Sequence, residues 1–291
     1  MWLNCITNSE LRMKNELVTV YIPTHNRPEM LVRAVSSVLA QTYKNIEIII
    51  SDDGSNIDVS SFIYNEFGAR DNIRVIRNDI SKGACHARNK AIFEARGEFV
   101  TGLDDDDEFL PERIEKLVAF FVKNKYPFIS TGLVFKTKKN EIIAYGESCV
   151  IKLDDNLNSN EIGNQIFTRT ADLKNIGGFD ESLNAFQDYD CWLRMILKYG
   201  HGYNTGEPTY IVHMEHEEGR ISTSDKRLNG ILCFVEKHKK ILSNQNRKNL
   251  ISSFYINSGR DISLKTVIVY ITPYNAMKLI KVFFKRKLFN L

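Results

Sequence analysis

Three short apolar runs, each rich in β-branched residues and each ending in a polar cluster, constrain this chain more than any other feature. Leu17-Val18-Thr19-Val20-Tyr21-Ile22 leads into Pro23-Thr24-His25-Asn26, and Ile46-Glu47-Ile48-Ile49-Ile50-Ser51 leads into Asp52-Asp53-Gly54-Ser55. Glu98-Phe99-Val100-Thr101-Gly102-Leu103 leads into Asp104-Asp105-Asp106-Asp107. Runs of this length read as strands buried on both faces. Helical spacing separates them. Met30, Leu31, Ala34, Val35 and Val38 form one stripe after Pro28, whose fixed φ suits a first turn. Residues 58–67 and 84–96 also read as helices, with Gly97 a natural stop, and 73–76 reads as a further strand. This rhythm predicts an α/β fold with a Rossmann-like, mostly parallel central sheet flanked by helices. In such sheets ligands bind beyond the carboxyl ends of the strands, where all three polar clusters fall.

Composition sets the outer bounds. The 291 residues are enough for one substantial core, and 43% hydrophobic with 26% charged residues is ordinary for a soluble globular chain. A net charge of +3 gives no electrostatic footprint for nucleic acid. The five cysteines, Cys5, Cys85, Cys149, Cys191 and Cys233, are scattered and form no CxxC pair, so reduced thiols and a cytoplasmic location are expected. Residues 1–16 have no long apolar stretch of a secretory signal and read as an extension. Beyond Pro111 the pattern predicts a helix to about residue 124, strands at 128–135 and 142–145, a turn at Ile176-Gly177-Gly178-Phe179-Asp180 and a helix from Asp188 to about Tyr199.

The clusters suit a particular chemistry. A nucleoside diphosphate leaving group is anionic and gains charge as its bond to a sugar breaks. Closely spaced carboxylates can hold a divalent cation that neutralises that charge. Asp104, Asp105 and Asp106 supply such a D-x-D, although a solvated acidic turn beside the helix opened by Pro111 and Glu112 has the same composition. Asp52 and Asp53 can accept hydrogen bonds from a base or ribose, or serve the Asp-Gly-Ser turn itself. Arg88 can meet a phosphate or a structural carboxylate. Asp188, opening a helix, can take a proton from an attacking hydroxyl or can cap that helix.

With these residues in place the chain resembles glycosyltransferase family 2, of GT-A fold. The resemblance is carried by Val20-Tyr21-Ile22-Pro23-Thr24-His25-Asn26-Arg27, Ser36-Ser37-Val38-Leu39-Ala40-Gln41-Thr42-Tyr43 and Ile50-Ser51-Asp52-Asp53-Gly54-Ser55. It continues through Gly83-Ala84-Cys85-His86-Ala87-Arg88-Asn89, Ala95-Arg96-Gly97-Glu98-Phe99 and the segment from Leu103 to Pro111. It ends in Gly177-Gly178-Phe179-Asp180 and Gln187-Asp188-Tyr189-Asp190-Cys191-Trp192-Leu193-Arg194. Order and spacing agree from about residue 17 to 225.

The resemblance implies a nucleotide-sugar-binding half over 17–111 and an acceptor-binding, catalytic half of the same domain over 112–225. Pro23, Thr24, Asn26, Arg27, Asp52, Asp53, Arg88, Asp104 and Asp105 are then expected around the nucleotide of a UDP-sugar donor. Asp104 and Asp106 are expected to bind Mn2+ or Mg2+. His216 is expected near the diphosphate and metal, with His213 competing for that place. Asp188 takes the position of the catalytic base in a single in-line, inverting displacement. The family commonly has Glu-Asp where this chain has Gln187-Asp188, which leaves one carboxylate there. The implied acceptor is a saccharide, expected to be lipid-diphosphate-linked, in O-antigen or capsule assembly.

Residues 226–291 read as a helical, basic and apolar tail. Seven basic residues between 260 and 291 face the single acidic Asp261, interleaved with Val282, Phe283, Phe284, Leu288 and Phe289. An interfacial helix on the anionic inner leaflet and a core-packed helix with a basic outer face both fit. Pro273 and Lys278 interrupt any spanning stretch. Two rival activities fit less well. A nucleotidyltransferase wants a glycine-rich basic loop after the first strand, where this chain has Pro23-Thr24-His25-Asn26. A non-catalytic sugar- or nucleotide-binding scaffold is expected to lose the D-x-D or the base, and both are present.

Overall fold

The computed structural model describes residues 15–214, 225–258 and 261–289. Its first half alternates β1 (Val18–Thr24), α1 (Pro28–Leu39), β2 (Ile46–Asp52), α2 (Val59–Phe67), β3 (Ile73–Arg77), α3 (Ala84–Glu94) and β4 (Phe99–Gly102). β1 pairs in parallel with β2 and β4, and β2 with β3. β1 is buried along its whole length, as a strand covered on both faces must be. It runs past Pro23 instead of stopping there. Pairing with β4 ends at Tyr21 and Gly102, beyond which a missing N–H costs little. In α1 the buried residues Leu31, Ala34, Val35 and Val38 are the predicted stripe, and Pro28 occupies the first turn.

The second half contains β5 (Glu108–Phe109), α4 (Arg113–Lys123), β6 (Phe128–Lys136), β7 (Glu141–Ala144), β8 (Cys149–Ile151), α5 (Leu153–Asn156), β9 (Phe167–Arg169), α6 (Thr170–Asn175), α7 (Gln187–Tyr199) and β10 (Gly202–His213). The sheet continues from the first half in the order β3-β2-β1-β4-β9-β6-β10-β5. Here it becomes mixed, because β9 runs antiparallel to both β4 and β6, and β5 antiparallel to β10. The buried Gln41 stitches the halves together. Its Nε2 donates to the carbonyl of Leu110 at 2.9 Å, and its Oε1 accepts from the amide of Ile114 at 3.0 Å. A buried amide group is tolerated when its capacity is used in this way.

The C-terminal residues form α8 (Asp225–Lys237), α9 (Asn244–Asn257), α10 (Leu264–Tyr270) and α11 (Ala276–Phe289). Ile231, Phe234, Leu250 and Phe254 pack with Tyr189 and Leu193 of α7 in one cluster. Asp190 is fully buried. It takes Arg194 Nε at 2.8 Å, Lys237 Nζ at 2.7 Å and His238 Nε2 at 2.8 Å. Burial opposes charge on Asp190, yet its contacts with His238, Arg194 and Lys237 hold it below its ordinary pKa. The region beyond 225 is therefore joined to the helix that carries Asp188 by both apolar and ionic contacts.

Candidate active site

The four consecutive aspartates alternate. Asp105 and Asp107 are buried, while Asp104 and Asp106 are partly open. Asp107 accepts the backbone N–H of His213 at 3.1 Å. Burial, with Asp104 and Asp106 nearby, raises its pKa well above the usual carboxylate range. Asp105 accepts from Thr24 Oγ1 at 2.8 Å and from Arg27 at 3.2 Å. Burial pushes it up to about 6, against the opposing effects of Thr24 and Arg27. The inward pair thus anchors the acidic turn to β1 and β10, and the outward pair faces the cleft. His213 belongs to the anchor as well, with Nε2 2.8 Å from Glu108 Oε1. His216, the other histidine singled out, lies outside the described residues.

The Asp-Asp-Gly-Ser cluster is held by one hydrogen bond of its own turn and by a set of contacts from the end of β3 and the segment after it. Asp52 is fully buried, accepts the amide of Ser55 at 2.9 Å and pairs with Arg77. Asp53 accepts from Asn78 Nδ2 at 2.8 Å, Ser81 Oγ at 2.7 Å, the amide of Lys82 at 2.9 Å and that of Gly83 at 2.8 Å. Four donors fill the acceptor capacity of a carboxylate. Burial would raise its pKa, but these hydrogen bonds, led by Lys82, hold it below the ordinary value. Asn26 is exposed and in the left-handed region at φ 56°, and its Oδ1 accepts the amide of Asn56 at 2.7 Å. Asn26 and Asp52 stand outside the lining of either cavity described next. Asn26 is held by Ser55 and Asn56 across the two loops, and Asp52 by Ser55 of its own turn and by Arg77.

Two cavities meet at one ion pair. The smaller, about 350 Å³, lies over the ends of β1 and β4 and is lined by Pro23, Thr24, Arg27, Asp53, Asp105 and Asp106 among others. The larger, about 650 Å³, is lined by Asp188, Asn160, Tyr145, Arg227 and Lys278 among others. Arg88 and Asp104 line both. Arg88 donates to Asp104 at 2.9 Å and to Gln187 Oε1 at 3.1 Å, and its guanidinium stacks 5.3 Å from the Phe179 ring centroid. Burial disfavours its charge, but the Asp104 carboxylate outweighs that and raises its pKa. Asn89, one residue on, grips the Gly177-Gly178-Phe179 turn. It accepts the Phe179 amide at 2.7 Å and donates to the Phe179 carbonyl at 2.8 Å. Gly178 has φ +65°, and a Cβ there would lie 2.3 Å from Asn89 Oδ1, so only glycine fits.

Asp188 sits in the first turn of α7 and does not cap it; Phe186 holds the cap position, left-handed at φ 63°. Such a conformation in a bulky residue is strained and needs surrounding structure to hold it. Asn160 Nδ2 donates to Asp188 Oδ2 at 3.2 Å. Burial raises the pKa of Asp188, opposed by the Tyr189 amide and by Arg88. A carboxylate so placed is suited to accept a proton. Asn160, Tyr145, Arg227 and Lys278 come from loops and helices far apart in the chain and belong to no motif, so no short sequence pattern marks them as site residues.

The family model described as Glycosyl transferase family 2 matches residues 19–176, more than half of the chain. The chain belongs to glycosyl transferase family 2. A relative from Escherichia coli K12, named as a colanic acid biosynthesis glycosyl transferase, WcaA, is 33% identical over 91% of this chain and 96% of its own. Another from Escherichia coli is named UDP-Glc:alpha-D-GlcNAc-diphosphoundecaprenol beta-1,3-glucosyltransferase WfgD. It is 35% identical over 40% of this chain and 46% of its own. Among solved structures, Staphylococcus aureus TarS 1-349 in complex with UDP-GlcNAc superposes with a TM-score of 0.64 at 18% identity. That match covers 91% of this chain and 79% of that one. The fold of this family 2 member is accordingly GT-A-like, with the mixed sheet described above.

Proposed function

We propose that this protein is an inverting glycosyltransferase that moves a sugar from a UDP-sugar to a hydroxyl of a lipid-diphosphate-linked saccharide, in the assembly of a surface polysaccharide. The observation that carries this reading is the shared wall of the two cavities. A cleft lined by the strand-end residues shares Arg88 and Asp104 with a larger chamber lined by Asp188. The UDP-GlcNAc complex of TarS supports the donor class, and the name of WfgD supports the acceptor class.

In this reading the nucleoside diphosphate lies in the smaller cavity along Pro23, Thr24 and Arg27, with the sugar at the seam. Asp188 takes the proton of the acceptor hydroxyl. The oxygen attacks the anomeric carbon from the larger cavity, the bond to the diphosphate breaks, and UDP departs on the opposite side. The configuration inverts, and no covalent enzyme intermediate forms. Arg88 keeps Asp104 and Gln187 in place across the seam.

Asp104 and Asp106 fit a divalent ion. Both are hard oxygen donors lining the smaller cavity. Arg88 and Gln165 bind one oxygen of Asp104, and Arg27 binds one of Asp106, so each keeps its other oxygen for a cation. Two carboxylates with donor phosphates are a usual Mg2+ set, and a closed cage of protein ligands is unnecessary. When bound, Mn2+ or Mg2+ supplies charge neutralisation to the departing diphosphate.

The outer face of α10 and α11 fits an anionic bilayer surface. Leu264, Ile268, Met277, Ile280 and Phe284 are exposed there among Lys265, Lys281 and Lys285. Among the described residues no helix is long and apolar enough to cross a membrane. Co-sedimentation with phosphatidylglycerol vesicles, lost in a Met277→Asp/Phe284→Asp variant, tests this contact. Equal pelleting of both proteins refutes it.

The test of the activity is turnover of a panel of UDP-, GDP- and dTDP-sugars with Mn2+ and a lipid-diphosphate-sugar acceptor. Metal-dependent transfer from one UDP-sugar, lost in Asp106→Ala and Asp188→Asn, is the expected result. No turnover together with no metal-dependent nucleotide binding overturns the reading in favour of a non-catalytic scaffold.

A further inference from the structure

Between Asn160 and Gln165 the chain touches both carboxylates of the proposed reaction. Asn160 Nδ2 donates to Asp188 Oδ2 at 3.2 Å, and Gln165 Nε2 donates to Asp104 Oδ1 at 3.4 Å. Asn160, Glu161 and Asn164 of this segment line the larger cavity together with Asp104 and Asp188. The segment is itself held. Asn160 Oδ1 accepts the amides of Ile162 at 3.0 Å and Gly163 at 3.2 Å, and Trp192 Nε1 donates to the Gly163 carbonyl at 3.2 Å. Ile162 and Ile166 are buried in the same core cluster as Trp192.

Gln165 is buried, and the direction of its amide follows from its neighbours. A carboxylate only accepts hydrogen bonds, so the amide nitrogen has to face Asp104 and the carbonyl oxygen has to turn away. That oxygen accepts from the hydroxyl of Tyr21 at 2.9 Å. Burial raises the pKa of the Tyr21 phenol well above its ordinary value, so the hydroxyl keeps its proton and its role as donor. The hydrogen bonds therefore run one way, from Tyr21 through Gln165 to Asp104. Tyr21 is the cross-strand partner of Gly102, and a Cβ at Gly102 would overlap Gln165 Oε1 and come within 2.5 Å of the Tyr21 ring. The glycine makes room for this arrangement. Arg88 donates to the same Asp104 oxygen as Gln165 does. Two donors from different elements on Oδ1 fix the orientation of the carboxylate and leave Oδ2 for another ligand. Partners that orient a metal-binding carboxylate in this way govern how well it holds the ion.

We infer that Gln165, backed by Tyr21, is a positioning residue for the transfer: it orients Asp104 toward the metal and diphosphate and, through the segment it shares with Asn160, holds Asp104 in register with Asp188. This rests on reading Asp104 as a metal ligand and Asp188 as the base.

The test reads metal binding before activity. Mn2+ is titrated into the UDP-saturated protein, with free Mn2+ followed by electron paramagnetic resonance, for wild type, Gln165→Met and Tyr21→Phe. Gln165→Met keeps the length of the side chain but removes its donor, and is expected to weaken Mn2+ binding about tenfold. Tyr21→Phe removes a single oxygen and is expected to weaken it about threefold. A purely structural role would lower the unfolding temperature without moving Mn2+ affinity. At saturating Mn2+, kcat of Gln165→Met should stay about tenfold below wild type with KM for the donor little changed, because filling the metal site does not restore the register. Wild-type Mn2+ affinity in folded Gln165→Met overturns the inference; should that variant not fold, wild-type affinity in Tyr21→Phe overturns it. Full recovery of kcat with added Mn2+ overturns the register with Asp188. A wild-type UDP complex that binds no Mn2+ overturns the metal reading of Asp104 itself, and the orienting role with it.

Discussion

Arg88 and Asp104 meet at 2.9 Å, and this pair forms part of the wall of both cavities. One residue comes from a helix and the other from the end of a strand, sixteen positions apart. The same guanidinium reaches Gln187, next to Asp188, so a single side chain links the D-x-D, the turn at Phe179 and the helix of the proposed base.

Arg88→Lys should test that linkage. Lysine keeps the charge but has no planar fork to hold Asp104 and Gln187 together over the Phe179 ring. We expect kcat/KM to fall on the order of 10²-fold through misplacement of reacting groups, with the fold retained. Steady-state kinetics beside circular dichroism would check it. Kinetics like those of wild type would show the bridge to be dispensable.

The pH dependence of kcat/KM should report Asp188. Burial raises its pKa, so the carboxylate form needed to accept a proton is lost, as pH falls, earlier than for an exposed aspartate. The acid limb of the profile therefore lies above the ordinary carboxylate range. Asp188→Asn should lower kcat on the order of 10² to 10⁴-fold while leaving UDP affinity, measured by calorimetry, unchanged. A limb at an ordinary carboxylate pKa, or an active Asn variant, argues against its role as base.

Gly178→Ala should destabilise the protein. The new methyl has to enter a left-handed backbone and the space of Asn89 Oδ1 at 2.3 Å. A loss of at least about 2 kcal/mol is expected in urea unfolding. Activity should fall further than stability accounts for, because the Phe179 turn supports Arg88. Gly177→Ala is strained by its φ of +81° but meets nothing within 4 Å, so it should cost less.

Asp105→Asn should change stability in a pH-dependent way. The folded pKa is raised to about 6 from 3.8, so the folded state binds the proton more tightly than the unfolded state does. Stability from this group is greatest below pH 3.8 and is lost as pH rises through about 6. The neutral Asn variant escapes that loss and should be the more stable protein at pH 8, by about 3 kcal/mol. The advantage should shrink between pH 6 and pH 4. Thermal melts in the nucleotide-free protein at those pH values would show it. A constant difference across the range would contradict the burial argument.

Much of this molecule is local information. The strands at Val18–Thr24, Ile46–Asp52 and Phe99–Gly102 are legible because burial on both faces demands unbroken apolar runs, and α1 because its apolar positions recur with the helical period. The order of those elements also determines that Thr24, Asp53 and Asp104 converge, since parallel strands align their carboxyl ends. Tertiary structure decided the rest. Four aspartates in a row look alike in sequence; only the contacts of Thr24, Arg27 and His213 turn Asp105 and Asp107 inward and leave Asp104 and Asp106 to the cleft. The mixed half of the sheet, the capture of Asp53 by four donors of the segment that follows β3, and the arrival of Arg227 and Lys278 in the cavity of Asp188 depend on pairings between distant segments. Such pairings are set by which surfaces can be buried together, and no short window of residues carries that information.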